Sequence, residues 1–205
     1  MLRFLFRRVL ASIVGIALAC LGSCAPTSLV SSQKNAAYTG TPLSRLVVIG
    51  ATSDLRVQQA FEDEFVARLR AAGITAVPSY PLIRESATGD RAELRRAVES
   101  AGMDGVLAVR LVPIEAGETA LQAFNFEDRS AGFYAYYSAD SPELLDPGLG
   151  SASNNMTIHF DLYSVSGSQL VWAGDAATFA SSDVKQLASG LAYAVIPALK
   201  KEKLI

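Results

Sequence analysis

The sequence predicts an α/β fold, a mixed sheet with a parallel βαβαβ core, a C-terminal antiparallel hairpin and a final packing helix. Three patterns carry that prediction. Leu46-Val47-Val48-Ile49-Gly50-Ala51 and Val106-Leu107-Ala108-Val109 are apolar on both faces, as strands buried between two layers must be. Helical stripes follow the first of these runs and precede the second. Met156, Ile158, Phe160 and Leu162 then alternate with polar residues, Ser166-Gly167-Ser168 makes a turn, and Leu170-Val171-Trp172-Ala173-Gly174 starts a return strand.

Residues 1–23 read as a signal peptide. Arg3, Arg7 and Arg8 make a basic start, Val9 to Ala19 is apolar, and small Gly22 and Ser23 precede Cys24. The competing reading is an uncleaved anchor, but the apolar run to Ser23 is shorter than the roughly 20 residues a bilayer-spanning helix needs. Leu21-Gly22-Ser23-Cys24 resembles the lipobox of bacterial lipoproteins. That resemblance implies a diacylglyceryl group on the Cys24 sulfur, cleavage just before it and acylation of the new amine. Ala17-Leu18-Ala19-Cys20 also ends in Cys but lacks Leu at its first position, so Cys24 is the expected lipidation site. Ala25 stands after the Cys where Asp would retain a lipoprotein of the enterobacterial type. The resemblance therefore implies the outer membrane, facing the periplasm, with the inner membrane as the alternative.

Removing the signal changes what the composition means. Of 18 basic and 20 acidic residues, Arg3, Arg7 and Arg8 leave, so the mature chain is net acidic and nucleic acid is an unsuitable partner. The mean hydropathy of +0.26 is partly the signal's. Cys20 and Cys24 are the only cysteines, one discarded and one lipidated, so stability must come from packing. Residues 24–44 are rich in Ser, Thr, Ala and Pro and read as a lipidated flexible tether, spanning roughly 25 Å as a random coil. Residues 45–205 read as one α/β domain.

Within it, Thr52-Ser53-Asp54 offers capping oxygens to a helix from Leu55 to Ala72, whose stripe is Val57, Phe61, Phe65 and Leu69 and whose end is Gly73. Glu62, Asp63 and Glu64 are expected on its solvated face, with Glu64 reaching Arg68 one turn on. A strand over Thr75 to Ile83 contains Pro78 and Pro81, which confine it to a sheet edge. Asp90-x-x-Glu93 opens a helix to Ala101 with Leu94, Ala97, Val98 and Ala101 inward. After the hairpin, Ser181-Ser182-Asp183 caps a last helix that buries Leu187, Ala188, Leu191, Val195 and Leu199, with Pro197 near its end.

Regular patterning fails between about 118 and 154. This insertion holds Phe124, Phe126, Phe133, Tyr134, Tyr136 and Tyr137, six of the 17 aromatic residues, and is longer than ordinary connections. Those side chains either fold back over an open sheet face or form a surface for a partner or a second copy. A membrane hairpin fits poorly, because Glu127, Asp128 and Arg129 interrupt the alternation.

The order strand, helix, strand, helix, strand, hairpin, helix resembles the amino-terminal domain of TolB and its relatives, including the curli secretion lipoprotein CsgG and lipoprotein activators of penicillin-binding proteins. The resemblance covers about Leu46 to Leu204 and is one of topology, with Leu170-Val171-Trp172-Ala173-Gly174 as its local echo in uncharacterised bacterial lipoproteins. It carries across no functional residue.

Chemistry is sparse. His159, the single histidine, is expected as a half-exposed strand residue, with no second His or free Cys for a zinc site. There is no Gly-x-Ser-x-Gly elbow, and Gly148-x-Gly150 lacks a flanking strand and helix. No catalytic, cofactor or metal residue is assigned. The expected function is non-enzymatic: a membrane-anchored envelope module that binds an envelope protein or itself. The alternative is an enzyme or small-ligand carrier with its pocket at the carboxyl ends of the parallel strands, near Thr52, Ser53 and Asp54.

Overall fold

The computed structural model describes residues 27–51, 54–82, 91–112, 155–179, 181 and 183–205. In chain order they form β1 (Ser28–Lys34), β2 (Arg45–Ala51), α1 (Leu55–Ala71), β3 (Thr75–Pro78), α2 (Arg91–Ser100), β4 (Gly105–Val112), β5 (Asn155–Ser164), β6 (Gln169–Phe179) and α3 (Val184–Lys201). The six strands make one mixed sheet in the order β1-β6-β5-β4-β2-β3. β2 pairs in parallel with both β3 and β4, as two crossovers through α1 and α2 require. β4, β5, β6 and β1 are successively antiparallel. The predicted mixed sheet with a parallel core, a hairpin and a final helix is what the chain forms.

One face of the sheet is covered by α1 and α3. Leu46, Val48, Leu107, Val109, Phe160, Leu162 and Trp172 from the strands meet Phe65, Leu69, Leu191, Val195 and Leu199 from the helices. Phe65 stacks on Phe61 at 5.8 Å and tilts against Phe160 at 5.9 Å, joining α1 to β5. On the opposite face Val98 of α2 packs with Val47, Ile49, Val106, Tyr163, Leu170 and Ala173. The Leu94 side chain and the Asp90 capping box lie outside the described residues.

The caps are those the sequence implies. Asp54 accepts from the amides of Arg56 and Val57, and Asp183 from those of Lys185 and Gln186. Gly73 takes φ 91°, and Ile74 N donates back to Leu69 O at 3.0 Å. Past Pro197 α3 continues to Lys201, and Lys200 Nζ donates to Ala72 O at 2.6 Å, closing the C-terminal end of α1 as well.

Two expectations are corrected. The segment 24–44 is not a free tether throughout: Ser28–Lys34 is an edge strand, with Leu29 opposite Ala176 and Ser31 opposite Asp175. Its polar composition hides a role that is mostly backbone pairing. Beyond it, Asn35 Nδ2 donates to Leu170 O at 2.7 Å, Tyr38 packs against the core and Leu43 is buried. The strand over Thr75 to Ile83 also stops early, at Pro78. Ser79 N still donates to Val48 O, but the Glu62 carboxylate draws the Ser79 and Tyr80 amides toward α1 and a turn begins. β3 occupies a sheet edge, as Pro78 requires.

Trp172 is fully buried, and its indole lies across Gly174 so closely that a Cβ there would overlap the ring. The indole N–H reaches Glu202 Oε1 at 3.3 Å. This is the physical content of the Trp172-Ala173-Gly174 sequence.

Candidate functional site

The first polar constellation sits at the carboxyl ends of β2 and β3, where open parallel sheets tend to bind ligands. Its centre is Glu62. The sequence reading placed Glu62 on the solvated face of α1, and the structure overturns that: the residue is fully buried. Its position four before Val66 and seven before Leu69 puts it on the inward stripe, at the turn nearest the strand ends. Oε1 accepts from Gly50 N at 2.9 Å, Gln58 Nε2 at 2.9 Å and Ser79 Oγ at 2.7 Å. Oε2 accepts from Ser79 N at 2.7 Å and Tyr80 N at 3.3 Å. Burial pushes the Glu62 pKa up, against the pull of the hydrogen bonds from Gly50, Ser79 and Gln58.

The neighbouring acids differ. Asp63 accepts from the Tyr80 hydroxyl at 2.8 Å, which with burial raises the Tyr80 pKa. Glu64 holds Arg68 at 2.8 Å, the expected one-turn pair. Arg68 also lies 5.0 Å from the Tyr193 ring centre. Asp54 is engaged as a cap, while Thr52 and Ser53 lie outside the described residues.

The second constellation crosses four strands at one register. Arg110 on β4 faces His159 on β5, which faces Asp175 on β6, which faces Ser31 on β1. His159 is 3% exposed, so the expected half-exposed strand residue is an interior one. The reason is that this face of the sheet is also covered: Thr157, Asp161 and Asp175 beside it are buried as well. His159 Nδ1 bonds to Asp175 Oδ1; with the carboxylate ionised, and so having only lone pairs to offer, Nδ1 is the donor. Ser31 Oγ donates to Asp175 Oδ2 at 2.7 Å.

A Ser, a His and an Asp thus come together, but in the wrong order for acyl transfer. Nucleophilic catalysis needs the imidazole between hydroxyl and carboxylate, so that it can take the hydroxyl proton. Here the carboxylate is in the middle and receives both donors. The arrangement fastens the edge strand to the sheet.

Cys24 and the aromatic candidates Phe124, Phe126, Phe133, Tyr134, Tyr136 and Tyr137 lie outside the described residues. Among the described residues no group of three His, Cys, Asp or Glu side chains is placed to hold a metal ion. No helix among them is long and apolar enough to cross a membrane. Sequence reasoning missed both constellations. Glu62 had a signal, its spacing to Val66 and Leu69; the row from Arg110 to Ser31 had none, because it exists only once the strand register is known.

No family model matches the chain, and no curated protein sequence is similar to it. Among solved structures it is similar to the PelC dodecamer from Paraburkholderia phytofirmans in two crystal forms. One is 14% identical with a TM-score of 0.44, covering 82% of this chain and 96% of that chain. The other is 12% identical with a TM-score of 0.43, covering 85% and 98%. Lipoprotein GNA1162 from Neisseria meningitidis is 12% identical with a TM-score of 0.39, covering 78% and 95%. Likenesses this distant carry no argument about what this chain does.

Proposed function

We propose that the chain is a lipid-anchored module of the bacterial cell envelope, held on the outer membrane facing the periplasm, that binds an envelope protein or a second copy of itself and catalyses no reaction. The observation that carries the reading is Leu21-Gly22-Ser23-Cys24 behind a basic start and a short apolar run. The TolB-like order of elements agrees with such a role by resemblance. The aromatic segment from Phe124 to Tyr137 is the candidate partner surface.

The interior polar groups add support. Both oxygens of Glu62 and of Asp175 are engaged by the protein's own donors. The alternative, a pocket at the carboxyl ends of β2 and β4, loses ground for the same reason. The amides of Gly50, Ser79 and Tyr80, which an anionic ligand would use, already serve a resident carboxylate.

Replacing the sulfur tests the anchor. Cys24→Ser should move the protein from the membrane fraction to the soluble periplasmic fraction, and unchanged sedimentation with membranes would count against lipidation. Deleting Ala123 to Tyr137 tests the partner surface: crosslinked partners recovered from intact envelopes should disappear. Recovery of the same partners would remove that assignment.

A further inference from the structure

We propose that one pole of the domain, where β1 begins and β6 ends, lies directly on the lipid surface with Phe179 set into it. The proposal rests on the anchor reading above and adds to it an orientation and a contact. Its starting point is the length of chain between the lipidated residue and the first fixed one. Thr27 Oγ1 is 3.0 Å from Thr178 Oγ1, and Ser28 already pairs with Ala177. Thr27 also packs against Gly190 of α3, where an added Cβ would meet its hydroxyl at 2.9 Å. Only Ala25 and Pro26 separate Cys24 from Thr27. Three residue steps span at most about 11 Å.

The Cα of Cys24 is therefore within that distance of the Cα of Thr27, and Thr27 itself touches Thr178 and Gly190. β6 runs 11 residues from Gln169 to Phe179, about 34 Å of strand. In the proposed orientation β6 stands away from the bilayer, with the hairpin turn at Ser166 and Gly167 as its far end and the opposite end of the sheet against the lipid. That end carries what an interface takes up. Phe179 is 46% exposed and Val30, at the bulge of β1, is 43% exposed; they are two of the four large exposed apolar side chains among the described residues. An apolar ring set into the boundary between headgroups and acyl chains is favourable there.

The test uses full-length protein from a host that acylates Cys24, purified in detergent and returned to vesicles of phosphatidylethanolamine and phosphatidylglycerol. Phe179→Cys and Ser166→Cys each provide one free thiol for an environment-sensitive dye. On vesicles the dye at position 179 should shift to the blue and be quenched by lipids bearing a headgroup-level nitroxide, while the dye at 166 stays unchanged. Vesicle-bound protein with the two positions equally wet overturns the proposal. So does a blue shift at 179 without vesicles in protein that also carries Cys20→Ala and Cys24→Ser, since a second copy would then be covering the ring.

Hydrogen exchange of the unsubstituted protein gives an arm independent of the dye. Peptides over 176–187 should slow on vesicles and those over 164–170 should not, and no slowing at the first again overturns the pole. Absence of acyl mass on Cys24 together with absence of vesicle binding overturns the anchor reading itself, which keeps the two failures apart.

Discussion

Burying Glu62 costs its charged form the surrounding water, and that cost outweighs the hydrogen bonds it receives, so its pKa lies above the ordinary 4.5. The folded state then holds the proton more tightly than the unfolded chain does. This contribution to stability is complete below the ordinary carboxylate value and is lost as pH rises through the raised one. Urea midpoints should therefore fall over that window in the parent protein, and Glu62→Gln, which cannot ionise there, should flatten the slope. An identical pH profile in both would contradict the assignment. Glu62→Leu removes the acceptor from Gly50, Ser79 and Tyr80 at once and should cost about 3 kcal/mol of unfolding free energy at neutral pH. At Asp175 the loss is divided between two strands. Asp175→Ala strips His159 and Ser31 of their shared acceptor and should cost about 3 kcal/mol, against about 1 kcal/mol for Ser31→Ala. Denaturation of the two variants side by side checks the ratio.

Among the elements, β1 is the one whose removal has the widest effect. A chain that begins at Asn35 loses the strand and leaves β6, with Asp175 at its centre, as an open edge. Open edges pair with other chains. Such a protein should elute as larger species than the chain that keeps β1 on size exclusion, and should show faster amide exchange in β6. The same element shows where sequence reading stops. β2, β4, β5 and β6 announce themselves because each buries a run or an alternation of apolar side chains, and α1 and α3 because their stripes repeat at helical spacing. β1 reads SLVSSQK; only Leu29 and Ser31 are even half-buried, so what holds it is main-chain pairing, which composition does not encode. Glu62 was hidden differently: flanked by Asp63 and Glu64, it looks like one of three solvated acids, although its phase along the helix matches Val66 and Leu69. His159 looked half-exposed because the sequence shows alternation but does not show that both faces of this sheet are covered.

For the molecule as a whole, the fixed point is that its first strand closes against its last. Ser31 meets Asp175 across 144 residues of chain, and Leu43 N bonds to Leu204 O at the C-terminus. Contacts this distant in sequence carry a large loop-closure cost and make folding slow. A polypeptide threaded outward amino end first would deliver Ser28–Lys34 long before β6 arrives to receive it. During that interval the stretch next to Cys24 has no strand to lie against, so the acylation and cleavage proposed for it would take place on bare chain. Completion of the sheet would then come only after nearly all of the polypeptide had crossed, and at that moment the slack between the proposed lipid and the fold would be taken up.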